Sequence, residues 1–384
     1  MKMTCKLSAL ALSLIGLCSS ASSALAKGSD LDTVVQNGAR HVMQEYAVPG
    51  LVIAVSANGK QHFYSFGVAS KASKEPVTPD TLFEVGSVSK LFTATLATYA
   101  QAQGKLSLSD TVGKHEPELE GTPFGKVTLA HLATHTAGGF PLQLPDSVQD
   151  ERQLMDYLKR WKPAYPMGTQ RSYANPSIGM LGVIAAKSLN LPFTQAMEQQ
   201  LFPALGLHNT YYTVPASKMT LYAQGYDKQD APVRLNSGVL GNEAYGVKTS
   251  ARDLIHFTEL NLGQGETSPQ IRKALADTHT GYFRVGPMTQ DLIWEQYPYP
   301  VELKSLLAGN SNKMAYENNG AIALNPPLAP QQAVWVNKTG STGGFGAYAV
   351  FVPAKQKSIV ILANKNYPND ARVKLAYEVL KALD

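Results

Sequence analysis

Residues 333–363 read AVWVNKTGSTGGFGAYAVFVPAKQKSIVILA, and this stretch decides the fold class. It contains three runs rich in β-branched and aromatic residues, separated by Gly-rich or Pro-containing turns: Ala333–Asn337, Ala347–Val352 and Ser358–Ala363. Such runs predict three consecutive antiparallel strands. Val373, Tyr377 and Leu380 follow at helical spacing and predict a closing amphipathic helix.

The other end of the chain carries the same kinds of element. Apolar residues at helical spacing predict a helix over residues 31–46. Leu51–Ser56 and Gln61–Phe66 then flank Asn58-Gly59, a dipeptide favoured in tight hairpin turns because it tolerates positive φ. We therefore expect an α/β (α+β) fold: an antiparallel sheet built from both chain ends, flanked by helices, with an inserted, mainly helical lobe.

Composition excludes several classes of protein. The chain has 384 residues, of which 44% are hydrophobic and 16% charged, and this balance argues against intrinsic disorder. The formal net charge is +5, but no run of five basic residues and no basic stripe interleaved with aromatics occurs. Nucleic acid is therefore not an expected partner.

The N-terminus has the three parts of a secretory signal peptide. Lys2 and Lys6 form a positive region, residues 7–18 are apolar but too few to span a bilayer, and Ala24-Leu25-Ala26 offers small residues for cleavage. We expect residues 1–26 to be removed and residues 27–384 to form one catalytic unit of two lobes with the active site between them. A membrane anchor is the alternative interpretation of this segment.

Cysteine usage limits the possible chemistry. Cys5 and Cys18 are the only cysteines, and both lie in the predicted signal peptide. The mature protein would therefore have no disulfide, no cysteine nucleophile and no thiolate metal site.

The tetrapeptide Ser87-Val88-Ser89-Lys90 is the only S-x-x-K in the chain. The uncharged run 91–104 follows it and predicts a buried helix that ends at Gly104. A spacing of three places Ser87 and Lys90 on one helix face, where a desolvated lysine of lowered pKa could serve as a base beside a serine nucleophile. Free N–H groups at the helix start could hold an oxyanion. The alternative is a surface serine beside a lysine that reaches solvent.

Two further tripeptides have chemistry to offer. Lys338-Thr339-Gly340 is the only K-T-G and lies at the end of a predicted strand, where small residues allow a ligand close to the backbone. Tyr173-Ala174-Asn175 precedes a helical run, and its tyrosine could be a base only if nearby positive charge lowers its pKa. Taken singly, the first is better explained as a polar strand end with a turn, and the second as a capped helix start.

The order S-x-x-K, Y-x-N, K-T-G resembles that of the penicillin-recognising serine enzymes. Y-x-N in the second place is similar to the class C β-lactamases (the AmpC family), and to some D,D-peptidases and esterases of the same fold. Three longer stretches resemble class C in particular, and the resemblance runs from about residue 30 to the C-terminus. These stretches are residues 137–146 (AGGFPLQLPD), residues 337–346 (NKTGSTGGFG) and residues 362–369 (LANKNYPN).

The resemblance implies roles for individual residues. Ser87 would be the acylated nucleophile, Lys90 and Tyr173 the proton-transfer pair, and Lys338 the charge that lowers the pKa of Tyr173 and faces the substrate carboxylate. The backbone N–H groups of Ser87 and Ser341 would form an oxyanion hole. The remaining substrate-binding residues would be Gln143 and Asn175 at the side-chain amide, Asn366, Asn369 and Arg372 near the carboxylate, Thr339 beside Lys338, and Tyr245 as a wall. His135 departs from the family pattern, which has a tyrosine there.

The function implied is hydrolysis of β-lactam antibiotics, with cephalosporins preferred, through a serine acyl-enzyme that confers resistance. The serine β-lactamase/D,D-peptidase-like fold, a periplasmic location, a monomer, a small-molecule β-lactam partner and the absence of metal or cofactor are implied with it. A D,D-peptidase or carboxylesterase of the same fold remains the alternative, because these share the chemistry up to acylation.

Other classes of hydrolase fit less well. A Ser-His-Asp hydrolase is disfavoured because no G-x-S-x-G occurs. His131 and His135 have a spacing that could chelate zinc, but there is no H-E-x-x-H and no obvious third ligand. A sensor that stays acylated should carry a membrane span or signalling domain, and the sequence contains neither.

Overall fold

The structure, a computed structural model, describes the chain from Cys18 to Asp384, with side chains from Asp30 onward. Residues 1–17, which hold most of the predicted signal peptide with Lys2, Lys6 and Cys5, lie outside the described residues.

The helices are, in chain order, α1 (Cys18–Glu45), α2 (Ser89–Ala102), α3 (Val112–His115), α4 (Leu129–Ala133), α5 (Glu151–Arg160), α6 (Asn175–Ser188), α7 (Phe193–Gln195), α8 (Phe202–Ala204), α9 (Gly241–Tyr245), α10 (Ala251–Asn261), α11 (Pro269–Asp277), α12 (Leu303–Gly309), α13 (Asn312–Tyr316) and α14 (Asn369–Lys381). The strands are β1 (Gly50–Ala57), β2 (Lys60–Gly67), β3 (Leu82–Glu84), β4 (Gln170–Ser172), β5 (Thr210–Tyr211), β6 (Gly225–Tyr226), β7 (Pro232–Val233), β8 (Lys248–Ser250), β9 (Gly281–Val285), β10 (Met288–Gln290), β11 (Glu295–Pro298), β12 (Asn318–Gly320), β13 (Ile322–Leu328), β14 (Val334–Ser341), β15 (Gly346–Val352) and β16 (Lys357–Ala363).

Both chain ends contribute to one nine-stranded sheet, as expected. Its order is β13-β9-β10-β11-β14-β15-β16-β1-β2. Every neighbouring pair is antiparallel. The predicted hairpin turn is present, with positive φ at Asn58 and Gly59. The predicted three-strand meander is β14–β16, although β14 continues to Ser341, so that the K-T-G tripeptide lies within the strand.

Both faces are buried at the centre of this sheet, which explains why β1, β15 and β16 are mostly apolar. In β1, Leu51, Ile53 and Val55 face a core shared with α1 and α14. Val52 and Ala54 face the opposite core, shared with α2 and α10. Since successive strand side chains point to opposite faces, a strand covered on both sides has apolar residues at consecutive positions instead of alternate ones.

The inserted region is less purely helical than its sequence predicts. Helices α2 to α11 form most of it, but β9, β10, β11 and β13 leave it and extend the large sheet on one edge. Strands β10 and β11 have only three and four residues, and the buried polar residues Gln290, Glu295 and Gln296 hide the apolar pattern that would mark them.

The end of β14 lies directly against a 3₁₀ turn, Gly86–Val88, that leads into α2. A Cβ atom on Gly340 would lie 2.0 Å from the carbonyl oxygen of Val85 and 3.0 Å from the amide nitrogen of Ser87. A Cβ atom on Gly86, whose φ is +50°, would lie 2.3 Å from the carbonyl oxygen of Ser341. Only glycines allow the two backbones to come this close.

This contact predicts that Gly340→Ala destabilises the fold. Since the added methyl group meets backbone atoms that cannot rotate away, we expect a loss of about 1–3 kcal/mol of unfolding free energy, the usual range for overpacking. Urea unfolding of the purified protein measures it. Gly343→Ala is the matched control, because a Cβ atom there would meet only a Val233 methyl carbon at 3.9 Å. Equal stability of the two variants would contradict the prediction.

Candidate active site

The turn Gly86–Val88 places Ser87 at the start of α2 with its side chain half-buried. Helix α2 is buried over most of its length, so this turn is fixed from below by the core. Above it lies the end of β14, which brings the backbone of Gly340 and Ser341 next to that of Ser87. Ser87 is therefore held between the buried helix α2 and the end of β14, and its side chain faces a cleft.

Lys90 lies one turn further along α2, as its spacing from Ser87 predicts. Its side chain is fully buried, and its Nζ atom donates hydrogen bonds to Ser87 Oγ and to the carbonyl oxygen of Ala244, both at 2.9 Å. Burial lowers the pKa of Lys90 to about 8, and the positive charge of Lys338 acts in the same direction. The lysine is thus able to exchange a proton near neutral pH.

Tyr173 lies between β4 and α6 with its ring among three cations. Lys90 Nζ and Lys338 Nζ are each 5.1 Å from the ring centroid, and Arg171 Cζ is 5.2 Å from it. The Tyr173 hydroxyl is buried and makes no geometrically good hydrogen bond to the described part of the chain, although it lies close enough to Ser87 and Lys90 to interact with both.

The electrostatics of Tyr173 favour its ionised form. Burial alone would raise the pKa of its phenol, but Lys338, Lys90 and the Ser87 hydroxyl together outweigh burial and lower this pKa to about 8. A tyrosine base requires this lowered pKa, and Lys90 and Lys338 are the two motif lysines that the sequence predicts would cause it. The geometry agrees with this condition for a tyrosine base.

Lys338 is buried and is held at the end of β14. Its Nζ atom donates to the carbonyl oxygen of Thr339 at 3.1 Å and lies 3.9 Å from Glu295 Oε1. Glu295 also accepts a hydrogen bond from Arg171 at 3.0 Å, and Arg171 is anchored further by Gln290. Lys338 therefore shares the buried carboxylate of Glu295 with Arg171. One carboxylate cannot neutralise two cations, so a net positive charge remains beside the cleft.

A cleft of about 230 Å³ opens above these groups. Eight of the twelve predicted site residues line it: Ser87, Gln143, Tyr173, Asn175, Lys338, Thr339, Ser341 and Asn369. Lys90 lies beneath it, bonded to Ser87. Tyr245 lines an adjoining groove of about 500 Å³, together with Gln143 and Asn175.

Arg372 and Asn366 do not line the cleft. Arg372 is fully buried behind β14 and donates to the carbonyl oxygen of Gly340 at 2.7 Å, to Ser341 Oγ at 3.0 Å and to Asn366 Oδ1 at 2.7 Å. Its guanidinium thus supports the strand end rather than facing solvent, and burial lowers its pKa to about 10. Any effect of Arg372 on a ligand would pass through Ser341 or Asn366.

Several residues that line the cleft belong to no motif that predicts a site. They are Arg171 and Glu295, which form a buried ion pair, Asn310 from the link between α12 and α13, and Met314 and Tyr316 from α13. Glu295 lies opposite Asn337 across β11 and β14. Neither Arg171 nor Glu295 belongs to a local sequence motif. Their ion pair could be predicted only from the pairing of distant strands.

In both histidines that suggested zinc, the Nδ1 atom has a local hydrogen-bond partner. His131 Nδ1 lies 2.6 Å from Thr128 Oγ1, and His135 Nδ1 accepts a hydrogen bond from the backbone N–H of Ala174 at 3.2 Å. Among residues 30–384, no group of three or more His, Cys, Asp or Glu side chains is arranged to hold a metal ion. Over the same residues, no helix has the length and apolar character needed to cross a membrane.

Comparisons with known proteins give one consistent result. The sequence model of the family described as Beta-lactamase matches residues 35–384. A beta-lactamase of Lysobacter lactamgenus is 52% identical over 352 residues, which are 92% of this chain and 91% of that protein.

Solved structures agree. The crystal structure of a beta-lactamase/D-alanine carboxypeptidase from Pseudomonas syringae is similar with a TM-score of 0.90 and 60% identity, covering 91% of this chain and 98% of that one. A class C beta-lactamase crystallised with cefoxitin is similar with a TM-score of 0.90 and 50% identity, covering 92% and 99% of the two chains.

The charges around Tyr173 predict an unusual tyrosine titration. In ultraviolet difference titrations, one tyrosine should ionise near pH 8, below the ordinary value of about 10. Tyr173→Phe should remove this component. Lys338→Met should move it to higher pH, because the charge that lowers the pKa is gone. Lys374→Met, which removes an exposed lysine on α14, is the control and should change nothing. An unchanged low-pH component in Tyr173→Phe would refute the assignment.

Proposed function

The chain belongs to the beta-lactamase family, and on that premise we propose that it opens β-lactam rings by covalent catalysis at Ser87. The protein is a class C serine β-lactamase. The observation that carries the assignment of roles is the contact of Lys90 Nζ with Ser87 Oγ at 2.9 Å, beside a tyrosine whose pKa two buried lysines lower.

In acylation, the Ser87 oxygen attacks the carbonyl carbon of the β-lactam ring, and its proton passes to the pair formed by Lys90 and Tyr173. The carbon–nitrogen bond of the ring then breaks, and the departing nitrogen takes up a proton from the same pair. The negative charge that develops on the carbonyl oxygen is held by the backbone N–H groups of Ser87 and Ser341, which the close approach of β14 brings together.

In deacylation, a water molecule attacks the ester carbon of the acyl-enzyme. Tyr173, ionised with help from Lys338 and Lys90, takes one proton from this water, and the Ser87 oxygen regains a proton as the ester bond breaks. The product is a substituted β-amino acid, and the serine is restored. No metal or cofactor takes part in either step.

The polar residues of the cleft are assigned to the polar groups of the substrate. Lys338, Thr339 and Asn369 would face the carboxylate of the β-lactam, with Ser341 beside them. Gln143 and Asn175 would bind the side-chain amide, and the groove walled by Tyr245 would receive the side chain. Arg372 and Asn366 would act from behind, by holding Ser341 and the strand end. Cephalosporins are the preferred substrates in this proposal, and hydrolysis confers resistance.

The N-terminus supports an exported protein. We propose that residues 1–26 are a cleaved signal peptide and that residues 27–384 act in the periplasm as one catalytic unit, with the active site between its two lobes. Lys2 and Lys6, the apolar run after Lys6 and the Ala24-Leu25-Ala26 site support cleavage. The residues assigned to catalysis form the cleft within one chain, so the proposed chemistry needs no second subunit, and a monomer is the state we propose.

A D,D-peptidase of the same fold is the second candidate. It is favoured by the Pseudomonas syringae neighbour, which is named both a beta-lactamase and a D-alanine carboxypeptidase. The two activities share acylation at Ser87 and differ in how fast water attacks the acyl-enzyme. The distinction therefore depends on Tyr173 and on which substrate is turned over.

The proposed nucleophile predicts a single covalent adduct. Incubation with cefoxitin and intact-mass spectrometry should show one adduct per chain, which proteolytic digestion locates on Ser87. Ser87→Ala should keep its circular dichroism spectrum and form none. An adduct on Ser89 or Ser341 would overturn the assignment.

The proposed signal peptide makes a second prediction for intact-mass spectrometry. The mass of the exported protein should correspond to a chain that begins at Lys27.

The role of Tyr173 predicts the kinetics. Because a general base contributes about 10²–10⁴-fold, Tyr173→Phe should lower the turnover of a chromogenic cephalosporin within that range. Stopped-flow traces of the wild type should show many turnovers, and a peptide ending in D-alanyl-D-alanine should be cleaved poorly. One stoichiometric burst followed by near silence, together with efficient peptide cleavage, would assign the protein as a D,D-peptidase.

A further inference from the structure

His135 lies directly against the segment that carries Tyr173. Its backbone carbonyl accepts the N–H of Ser172 at 2.9 Å, and its ring Nδ1 accepts the N–H of Ala174 at 3.2 Å. These two amides flank Tyr173 on either side. One residue therefore holds the chain immediately before and immediately after the catalytic tyrosine.

The His135 side chain also contacts the Tyr173 ring. The two ring centroids are 4.4 Å apart with the planes tilted by 45°, and His135 is only 1% exposed. Its φ is +59°, in the left-handed region where Asn, Asp and His are the enriched non-glycine residues. This backbone conformation accompanies the unusual arrangement in which carbonyl and ring nitrogen both bind the same short segment.

The hydrogen bonds define the protonation state of the imidazole. Since Nδ1 accepts an N–H, the ring proton must be on Nε2, which has no hydrogen-bond partner in the described part of the chain. If Nδ1 were protonated, its N–H would point at the N–H of Ala174, and the two donors would repel each other. Burial and the charges of Arg171, Lys90 and Lys338 hold the pKa of His135 well below its usual range, so the ring is neutral.

We propose that His135 is a positioning residue that fixes Tyr173 between Lys90 and Lys338, and that its Nδ1 atom is the acceptor on which this positioning depends. The proposal rests on the proposed role of Tyr173 as the base. Its effect is geometric: if the segment shifts, the phenol leaves the position in which the two ammonium groups favour its ionised form.

A shift of Tyr173 would change the pH dependence of the reaction. The charged or titratable groups that face its ring come from every element packed around it, namely Lys90 on α2, Lys338 on β14, Arg171 on β4, Glu295 on β11 and neutral His135 after α4. Moving the phenol away from the lysines raises its pKa. Since the base acts in its ionised form, the acid limb of the kcat/KM profile would then move to higher pH.

Two variants separate the acceptor from the ring. His135→Phe keeps an aromatic ring but removes the acceptor. His135→Asn removes the ring but keeps an oxygen near the place of Nδ1, and asparagine tolerates the positive φ. We expect His135→Phe to lower kcat/KM for a chromogenic cephalosporin by about 10–100-fold, the scale of a misplaced catalytic group, and to move the acid limb to higher pH. His135→Asn should keep the limb near its wild-type position and lose less activity.

Melting temperatures of both variants show whether they fold, and a stability loss alone does not move a pH profile. A wild-type profile in His135→Phe would overturn the proposal. An acid limb in His135→Asn displaced as far as in His135→Phe would overturn the role of Nδ1, because the retained oxygen would then have no effect.

A measurement on the unaltered protein makes the test independent of variant folding and of activity. Long-range ¹H–¹⁵N correlation spectra of the wild type should show His135 as the neutral Nε2–H tautomer at pH 6.5, where an ordinary histidine is about half protonated. An Nδ1–H tautomer, or an imidazolium between pH 6 and pH 7, would overturn the proposal. Failure of the proposed function is recognised separately, since the wild type would then not turn over β-lactams whatever the tautomer of His135.

Discussion

Three buried cations surround one phenol in this protein, and the rest of the structure has to hold them there. Lys90, Lys338 and Arg171 all approach the Tyr173 ring, and Glu295 is the carboxylate that Arg171 and Lys338 share. Removing like charges from water is unfavourable, and placing them close together adds repulsion. A negative phenolate at Tyr173 compensates for the lost hydration of the cations and reduces their mutual repulsion. The cations therefore lower the pKa of the phenol.

The fold meets this requirement by drawing the charges from distant parts of the chain. Lys90 comes from a helix buried in one core, whereas Lys338 comes from a central strand of the large sheet. Neither lysine can move away without breaking hydrogen bonds to Ala244 or Thr339, or displacing a packed element. The glycines at positions 86 and 340 then allow the two elements to approach until helix start and strand end share one cleft.

The parts of this arrangement that are local in sequence could be predicted from it. The hairpin around Asn58-Gly59, the three strands after Ala333 and the start of α2 each carry a continuous signal, and the structure confirms them. The strands β9–β11 and the Arg171–Glu295 pair carry none, because their partners are set by pairing between distant segments. The packing of Arg372 behind β14 is likewise decided by burial, which a motif does not display.

Lys90 and Tyr173 both have a lowered pKa, and this explains how one site can serve two opposite proton transfers. Acylation takes a proton from Ser87 and delivers one to the ring nitrogen, whereas deacylation takes one from water and returns one to Ser87. The surroundings lower the pKa of both groups to about 8, so either can give up a proton near neutral pH. An isolated lysine or tyrosine, each with a pKa of about 10, would accept a proton readily but release it slowly. Burial lowers the pKa of the lysine, and the lysines lower the pKa of the tyrosine, so the two values meet only because all three groups are held together. The basicity of the site is therefore a property of the assembled cleft and not of any one motif.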